Sequence, residues 1–416
     1  MSCVITLSPR DSPAEHSHGS EPGDCGCIWY NKGNNLAQDI PLHEALGRKK
    51  APAAVAVAVF CTLGLAFSVW FGVLNKAGFG IDYNQYFAAG RLAGTGHLYD
   101  WNALRKLEEE HGADVPTGRL PVVLYGHKIL SGLPYGVARS MWLAGSIAAL
   151  VAFAVFWPGT RWPLMLMALT WSMPAVLLLL YGQDSAFWLL FVAAGLLLIG
   201  RNRPWSAGVA FSLCICKFHL ALGIPIFLAA QKRWKTMIAG AIATLALLAS
   251  CFLIEGPQWP FRYLQMSHMP GFSPAAFKMA NLLGVASWFP WPAALDAALS
   301  CALAVVLWVT IRGTDDLGTA GAAVAAGGLL LSPHSYANDL VLLIPLAVLT
   351  IQHPTLPPWL KGWAVLLLSP APVLLLVSQR PWLGQVSIVG FVLIAIIAGR
   401  ANPRSPASAG HSPGYL

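Results

Sequence analysis

Three carboxylates, one lysine and two histidines interrupt otherwise apolar stretches of this chain. Asp82 opens the run Gly80-Ile81-Asp82-Tyr83-Asn84-Gln85-Tyr86-Phe87-Ala88-Ala89-Gly90-Arg91, soon after the first apolar segment. A carboxylate there can act as a general base, taking a proton from an attacking hydroxyl. It can equally cap a helix over 83–93, whose period Tyr86, Ala89 and Ala93 mark and which is expected to lie on a membrane surface. Lys217 and His219 fall at the centre of the apolar stretch 205–231. A lysine in such surroundings needs an anion, either an internal carboxylate (Asp184 or Asp339) or a lipid-linked phosphate. Tyr181-Gly182-Gln183-Asp184 breaks two apolar runs, although Gly182 alone suffices for a turn. The last polar cluster is Ser332-Pro333-His334-Ser335-Tyr336-Ala337-Asn338-Asp339.

The elements that must hold these residues are apolar helices. Only 26 Lys+Arg and 18 Asp+Glu occur in 416 residues, and the mean hydropathy is +0.60. Soluble domains carry about 25% charged residues; 11% cannot coat a surface of this size. A cytosolic enzyme, a nucleic-acid binder and a disordered protein are thereby excluded. The net charge of +8 comes from short basic clusters between apolar runs, which report membrane orientation.

Apolar runs occupy 51–74, 137–157, 163–180, 185–200, 235–254, 292–311, 317–331, 339–352, 362–378 and 383–399. Two readings compete for 205–231: one span with Lys217 at mid-bilayer, or two short helices turning at 217–219. With the turn, Lys232, Arg233, Lys235, Arg312, Lys361, Arg400 and Arg404 face the cytoplasm, and Arg262, Lys278 and Arg380 face out. The single span reverses that ratio, so the positive-inside bias favours the turn. The expected architecture is an all-α polytopic membrane protein of about twelve spans with both termini cytoplasmic. It has a disordered tail over 1–50, a membrane domain over 51–399 with a long extracytoplasmic loop at 75–136, and a second tail over 400–416. Arg48, Lys49 and Lys50 precede the first run, which reads as a retained span rather than a cleaved signal. The polar residues above then gather at the outer face of a cell membrane.

Most cysteines lie in apolar runs; Cys25 and Cys27, with His16 and His18 nearby, sit in the polar leader and no metal is expected. His334 and Asp339 share the H-x4-D spacing of some acyltransferases, a pattern common by chance and here turned away from the cytoplasm. No nucleophile elbow, Walker loop, zincin motif or dinucleotide fingerprint is present. The aromatics of 255–291 read mostly as an interface belt.

Together these segments resemble glycosyltransferase family 87, over roughly 51–399 and in family order. The pieces are Asp82, Tyr86, Ala89, Gly94, Leu98, Tyr99 and Asp100; the pair Gly182-Gln183; the stretch from Gly208 to Lys217, followed by a helix ending in Lys232-Arg233-Trp234; Asn281 with Gly284; and Ser332-Pro333. The entry to the second span departs from the family pattern, reading Tyr125-Gly126-His127. The resemblance implies a C-type glycosyltransferase fold and a polyprenyl-phosphate-sugar donor, with mannose as the default sugar. It also implies an acidic catalytic base, which lands on Asp82, and a basic residue at the donor phosphate, for which Lys217 is the choice. Arg91 and His219 are further phosphate-binding candidates. Tyr86, Gln183, Asp184, Asn281, His334, Asn338 and Asp339 are substrate-binding candidates. The acceptor would be a lipid or glycan, no cofactor is needed, and one base implies inversion. The competing reading is a secondary transporter or lipid flippase, which predicts internal repeats and ionisable residues at mid-membrane. No repeat is evident.

Overall fold

The computed structural model describes residues 80–111 and 115–401, with 59–64, 66 and 70 of a preceding helix. The two expected tails up to 50 and beyond 401, most of the first span, and the Cys25–Cys27 pair with His16 and His18 lie outside the described residues.

Every described element is a helix. Among the described residues, five helices are long and apolar enough to cross a membrane: Tyr135–Phe156, Pro204–Ala230, Trp234–Glu255, Pro292–Arg312 and Pro381–Gly399. Two pairs qualify only jointly: Trp162–Trp171 with Met173–Tyr181, bent by 70°, and Pro358–Leu368 with Ala371–Val377, bent by 64°, giving up to seven. Ser185–Gly200, Leu317–Leu331 and Ala337–Gln352 are apolar but shorter. At about 1.5 Å per residue, 16 residues reach only about 24 Å of a ~30 Å hydrocarbon core. Helix Trp234–Glu255 bares Ile238, Ile242, Leu245, Phe252 and Leu253; Tyr135–Phe156 bares Val137, Met141, Ile147, Val151 and Val155. Soluble monomers rarely expose such continuous apolar faces. The chain is a multi-pass helical membrane protein.

By length and composition Pro204–Ala230 passes as one helix, but its contacts show a reversal. Lys217 has non-helical φ −133° and ψ 67° inside the 3₁₀ stretch Leu213–Leu222. Gly208 abuts Thr236, Ala239 and Gly240, while Ile215 packs in one cluster with Leu247, Leu248 and Cys251. The segment before Lys217 therefore runs alongside the start of Trp234–Glu255, in the same direction. After Lys217, Leu220 meets Gly328, Gly223 meets Val324, and the Gln231 amide donates to the Thr314 carbonyl at 2.9 Å. That half runs back beside Leu317–Leu331. A straight helix would hold residues 208 and 228 about 30 Å apart; instead both lie near the turn at 231–233, where Arg233 N donates to the Leu228 carbonyl.

Residues 80–134 build a small helical unit from Ile81–Leu92, Trp101–Glu109 and Pro121–Ser131. Asp100 caps the second of these, accepting from Asn102 N and Ala103 N. Ile81–Leu92 is not the half-exposed surface helix expected from its period, because Tyr83 to Gly90 are all buried. Gly90 abuts the His127 backbone on one side, and Tyr83 and Phe87 pack on Tyr135 from another. Nor does Asp82 cap it. The N-cap is Gly80, with φ 71°, and Asp82 lies in the first turn.

Candidate active site

The site begins with a close approach that only glycine permits. Gly182 ends helix Met173–Tyr181 with φ 77°, and a Cβ there would stand 2.7 Å from the Tyr83 Cβ. Gly80 N donates to the Leu180 carbonyl at 2.7 Å, fixing the register. Ile81–Leu92 is thereby pressed onto the Gly182 turn, and Gln183 and Asp184 meet Asp82 and Tyr86. Gly182→Ala is expected to lower the thermal midpoint in detergent. A non-glycine residue in this conformation costs about 1–3 kcal/mol, before the clash with Tyr83 is added.

Behind this contact lies a buried ionic cluster. Arg119 grips Asp184 in a two-pronged pair, Nε to Oδ2 at 2.7 Å and Nη2 to Oδ1 at 2.9 Å. Arg119 Nη2 also donates to the Tyr86 hydroxyl at 2.7 Å and to Gln183 Oε1 at 3.2 Å. Lys217 Nζ lies 2.6 Å from Asp339 Oδ1 and 3.6 Å from Asp184 Oδ1. Asp339 accepts further bonds from Ser185 Oγ at 2.9 Å and Tyr336 N at 3.0 Å. Asp184, Lys217 and Asp339 are all buried. Two cations balance two carboxylates, as burial of charge requires.

Asp82 is the carboxylate left over. It is only partly covered and forms no ion pair among the described residues. Gln183 gives its carbonyl oxygen to Tyr86 and Arg119 and its amide group to Asp82. Burial pushes the Asp82 carboxyl above the ordinary range; the Gln183 hydrogen bond and the charges of Lys217 and Arg119 pull it back, and Asp184 raises it. A raised pKa suits a group that must accept a proton.

Across the cluster, the rings of His219 and His334 pack with centroids 4.0 Å apart. Burial pushes His334 down to about 4, against the opposing charge of Asp339, so it is neutral at physiological pH. His334 and Asp339 therefore make no acid–base dyad of the H-x4-D kind; Asp339 is held by Lys217. Asn338 points its amide at Asp339 Oδ1 at 3.4 Å.

Two expected residues do not join the site. Arg91 is nine residues along its helix from Asp82, about 13 Å away, lies over Phe87 and pairs with Glu110 at 3.7 Å. Asn281 is fully spent on structure: its Oδ1 caps Gly284 N at 2.8 Å and its Nδ2 holds the Ser332 carbonyl at 2.8 Å. Arg119, which sequence reasoning passed over, is the hub. Its signal was indirect: two buried carboxylates in apolar surroundings call for two cations, and Lys217 supplies one. His127 was missed as well; its ring packs at a tilt against Trp142 at 4.4 Å and Tyr86 at 5.0 Å, and burial pushes its pKa down to about 4. Among the described residues, no group of three or more His, Cys, Asp or Glu could hold a metal ion.

Fold and site together describe a multi-pass helical membrane protein with a polar centre at one end of its bundle. The family model for glycosyltransferase family 87 matches residues 121–333, just over half of the chain, taking in Gln183, Asp184, Lys217 and Asn281. The chain belongs to glycosyltransferase family 87 and is a glycosyltransferase. It is similar to a polyprenol-phosphate-mannose-dependent alpha-(1-2)-phosphatidylinositol pentamannoside mannosyltransferase of Mycolicibacterium smegmatis (strain ATCC 700084 / mc(2)155). The two are 26% identical over 385 residues, covering 83% of this chain and 88% of the relative. No solved structure matches the chain.

Proposed function

We propose that this protein transfers a sugar, mannose by analogy with its relative, from a polyprenyl-phosphate donor to a lipid or glycan acceptor at the outer face of the cell membrane. The observation that carries the reading is the Asp82 carboxylate, which has no ion-pair partner among the described residues, set against a cluster whose other carboxylates are neutralised by Arg119 and Lys217. Asp82 takes the proton from the acceptor hydroxyl as its oxygen attacks the anomeric carbon, and polyprenyl phosphate leaves. A lipid phosphate brings its own leaving group, so no nucleotide site is needed.

The departing phosphate needs positive charge. Arg119 uses Nε and Nη2 on Asp184, Tyr86 and Gln183, which leaves Nη1 for the phosphate. His219 and His334 offer ring N–H groups beside it. Lys217, shared between Asp184 and Asp339, strengthens the field from behind. Tyr86, Gln183 and Asn338 line the centre, while Arg91 lies outside it.

In this reading the chain crosses the membrane twelve times. The bundle has one end with residues 182–184, 217 and 332–339, and another with 200, 231, 314 and 318. Counting the two halves around Lys217 and each bent pair once gives eleven crossings after residue 134, and the apolar run at 51–74, read from the sequence, adds one. The unit at 80–134 then lies outside, with basic turns such as Lys232-Arg233 in the cytoplasm. A C-type glycosyltransferase architecture fits this arrangement.

The test uses purified protein in vesicles offered labelled mannose on either polyprenyl phosphate or a nucleotide, with an extracted glycolipid acceptor. Transfer from the lipid-linked donor alone is expected. Transfer from the nucleotide sugar alone would overturn the reading.

A further inference from the structure

We infer that residues 267–280 form a strap that keeps water out of the reacting centre, with Phe272 as its plug. The inference rests on the transfer reaction proposed above and adds a determinant of its selectivity, the choice of an acceptor hydroxyl over water.

The strap crosses from the 80–134 unit to the Ser332 cluster. At one end, Tyr263 packs edge-on against Tyr99 at 5.6 Å, and Gly271 (φ 87°) sits beside Pro116. At the other end, the Gln385 amide donates to the Phe277 and Met279 carbonyls, both at 2.9 Å, and Ala280 N donates to Ser335 Oγ at 3.1 Å. Between these anchors the chain is irregular and one-sided: Met269, Phe272, Pro274 and Ala276 are partly covered, whereas Pro270, Gly271, Ser273 and Ala275 are exposed.

Phe272 lies where the two halves of the site meet. Its Cζ is 3.3 Å from the position of a Cβ on Gly118, the neighbour of Arg119, so a side chain at 118 would crowd the ring. On the other side the ring stands 6.3 Å, edge-on, from His334. The Phe272 carbonyl is tied down by the Tyr336 hydroxyl at 3.1 Å, and Tyr336 N in turn donates to Asp339. An apolar ring is thus fastened between Gly118, the neighbour of Arg119, and His334. It makes no polar contact that would serve the chemistry itself.

Its value follows from the reaction. Transfer breaks the bond from the anomeric carbon to the phosphate oxygen, forms a bond to the acceptor oxygen, and passes the acceptor proton to Asp82. Water can replace the acceptor in the same step, giving free sugar and polyprenyl phosphate. Only exclusion of water suppresses that loss.

The experiment measures free and transferred sugar in one reaction, using purified full-length protein and polyprenyl-phosphate mannose. Phe272→Ala is expected to raise the ratio of free to transferred sugar about tenfold, equivalent to about 1.4 kcal/mol of barrier difference. Phe272→Leu, which keeps apolar bulk, should stay near the parent ratio. Tyr336→Phe loses the tether but not the ring and should fall between, which provides a readout should the alanine variant fail to fold. An unchanged ratio in whichever of the Ala and Tyr336 variants folds would overturn the inference while leaving the proposed function standing. A parent protein that transfers no sugar from this donor would count against the function itself.

Discussion

Asp82→Asn should slow sugar transfer by about 10²–10⁴-fold, the usual cost of losing a general base, with little change in thermal midpoint. The asparagine keeps the size of the side chain and can still pair with Gln183, but it cannot take up the acceptor proton. A helix-capping role predicts tolerance, and the structure already assigns the cap to Gly80. Asp82→Glu should sit between, since the carboxylate survives but is displaced. The pH profile gives an independent check. A base works only when deprotonated, so activity falls as pH drops through its pKa. Burial raises that pKa, so the acid limb lies above the ordinary carboxylate range. Gln183→Leu removes the hydrogen bond that opposes the shift, and the limb should move to still higher pH. Transfer by the Asn variant within a few-fold of the parent would make Asp82 structural.

Lys217→Met should cost about 3–5 kcal/mol of stability, the scale for leaving one member of a buried pair alone. The stranded group is Asp339, fully buried and 2.6 Å from the lysine. Asp184 suffers less, because Arg119 holds both of its oxygens. Adding Asp339→Asn should restore much of the stability, a coupling that a double-mutant cycle reads from thermal midpoints in detergent. Sugar transfer should stay depressed in the double variant, because the charge that supports the phosphate is gone. Full recovery of both stability and transfer would reduce Lys217 to a counter-ion.

The reversal at Lys217 could be read in the sequence because it is a matter of charge bookkeeping: only a turn there puts most basic clusters on one side. The pairing of Lys217 with Asp184 and Asp339 was legible as one of two alternatives, since a buried lysine must find an anion. Arg119 was not, because it stands in a charge-bearing segment where an arginine looks like any solvated side chain. Its role arises only when the Gly182 turn brings Asp184 beneath it. The enclosure of Ile81–Leu92 was hidden for a similar reason. Its period of Tyr86, Ala89 and Ala93 marks one buried face, and the second is created by Tyr135 and His127 from later segments. Asn281 carries a family motif, yet its work is to cap Gly284 and hold Ser332. A single sequence does not separate that work from substrate contact.

The stereochemistry of the new bond reports directly on the role of Asp82. A donor of known anomeric configuration is offered to the purified protein, and the configuration of the transferred sugar is read by NMR. With Asp82 as the lone base, a single in-line displacement must invert the anomeric centre. Retention by double displacement requires a carboxylate nucleophile in addition to the base, and both Asp184 and Asp339 are bound to cations within the buried cluster. Inversion is the predicted result; retention would contradict the account.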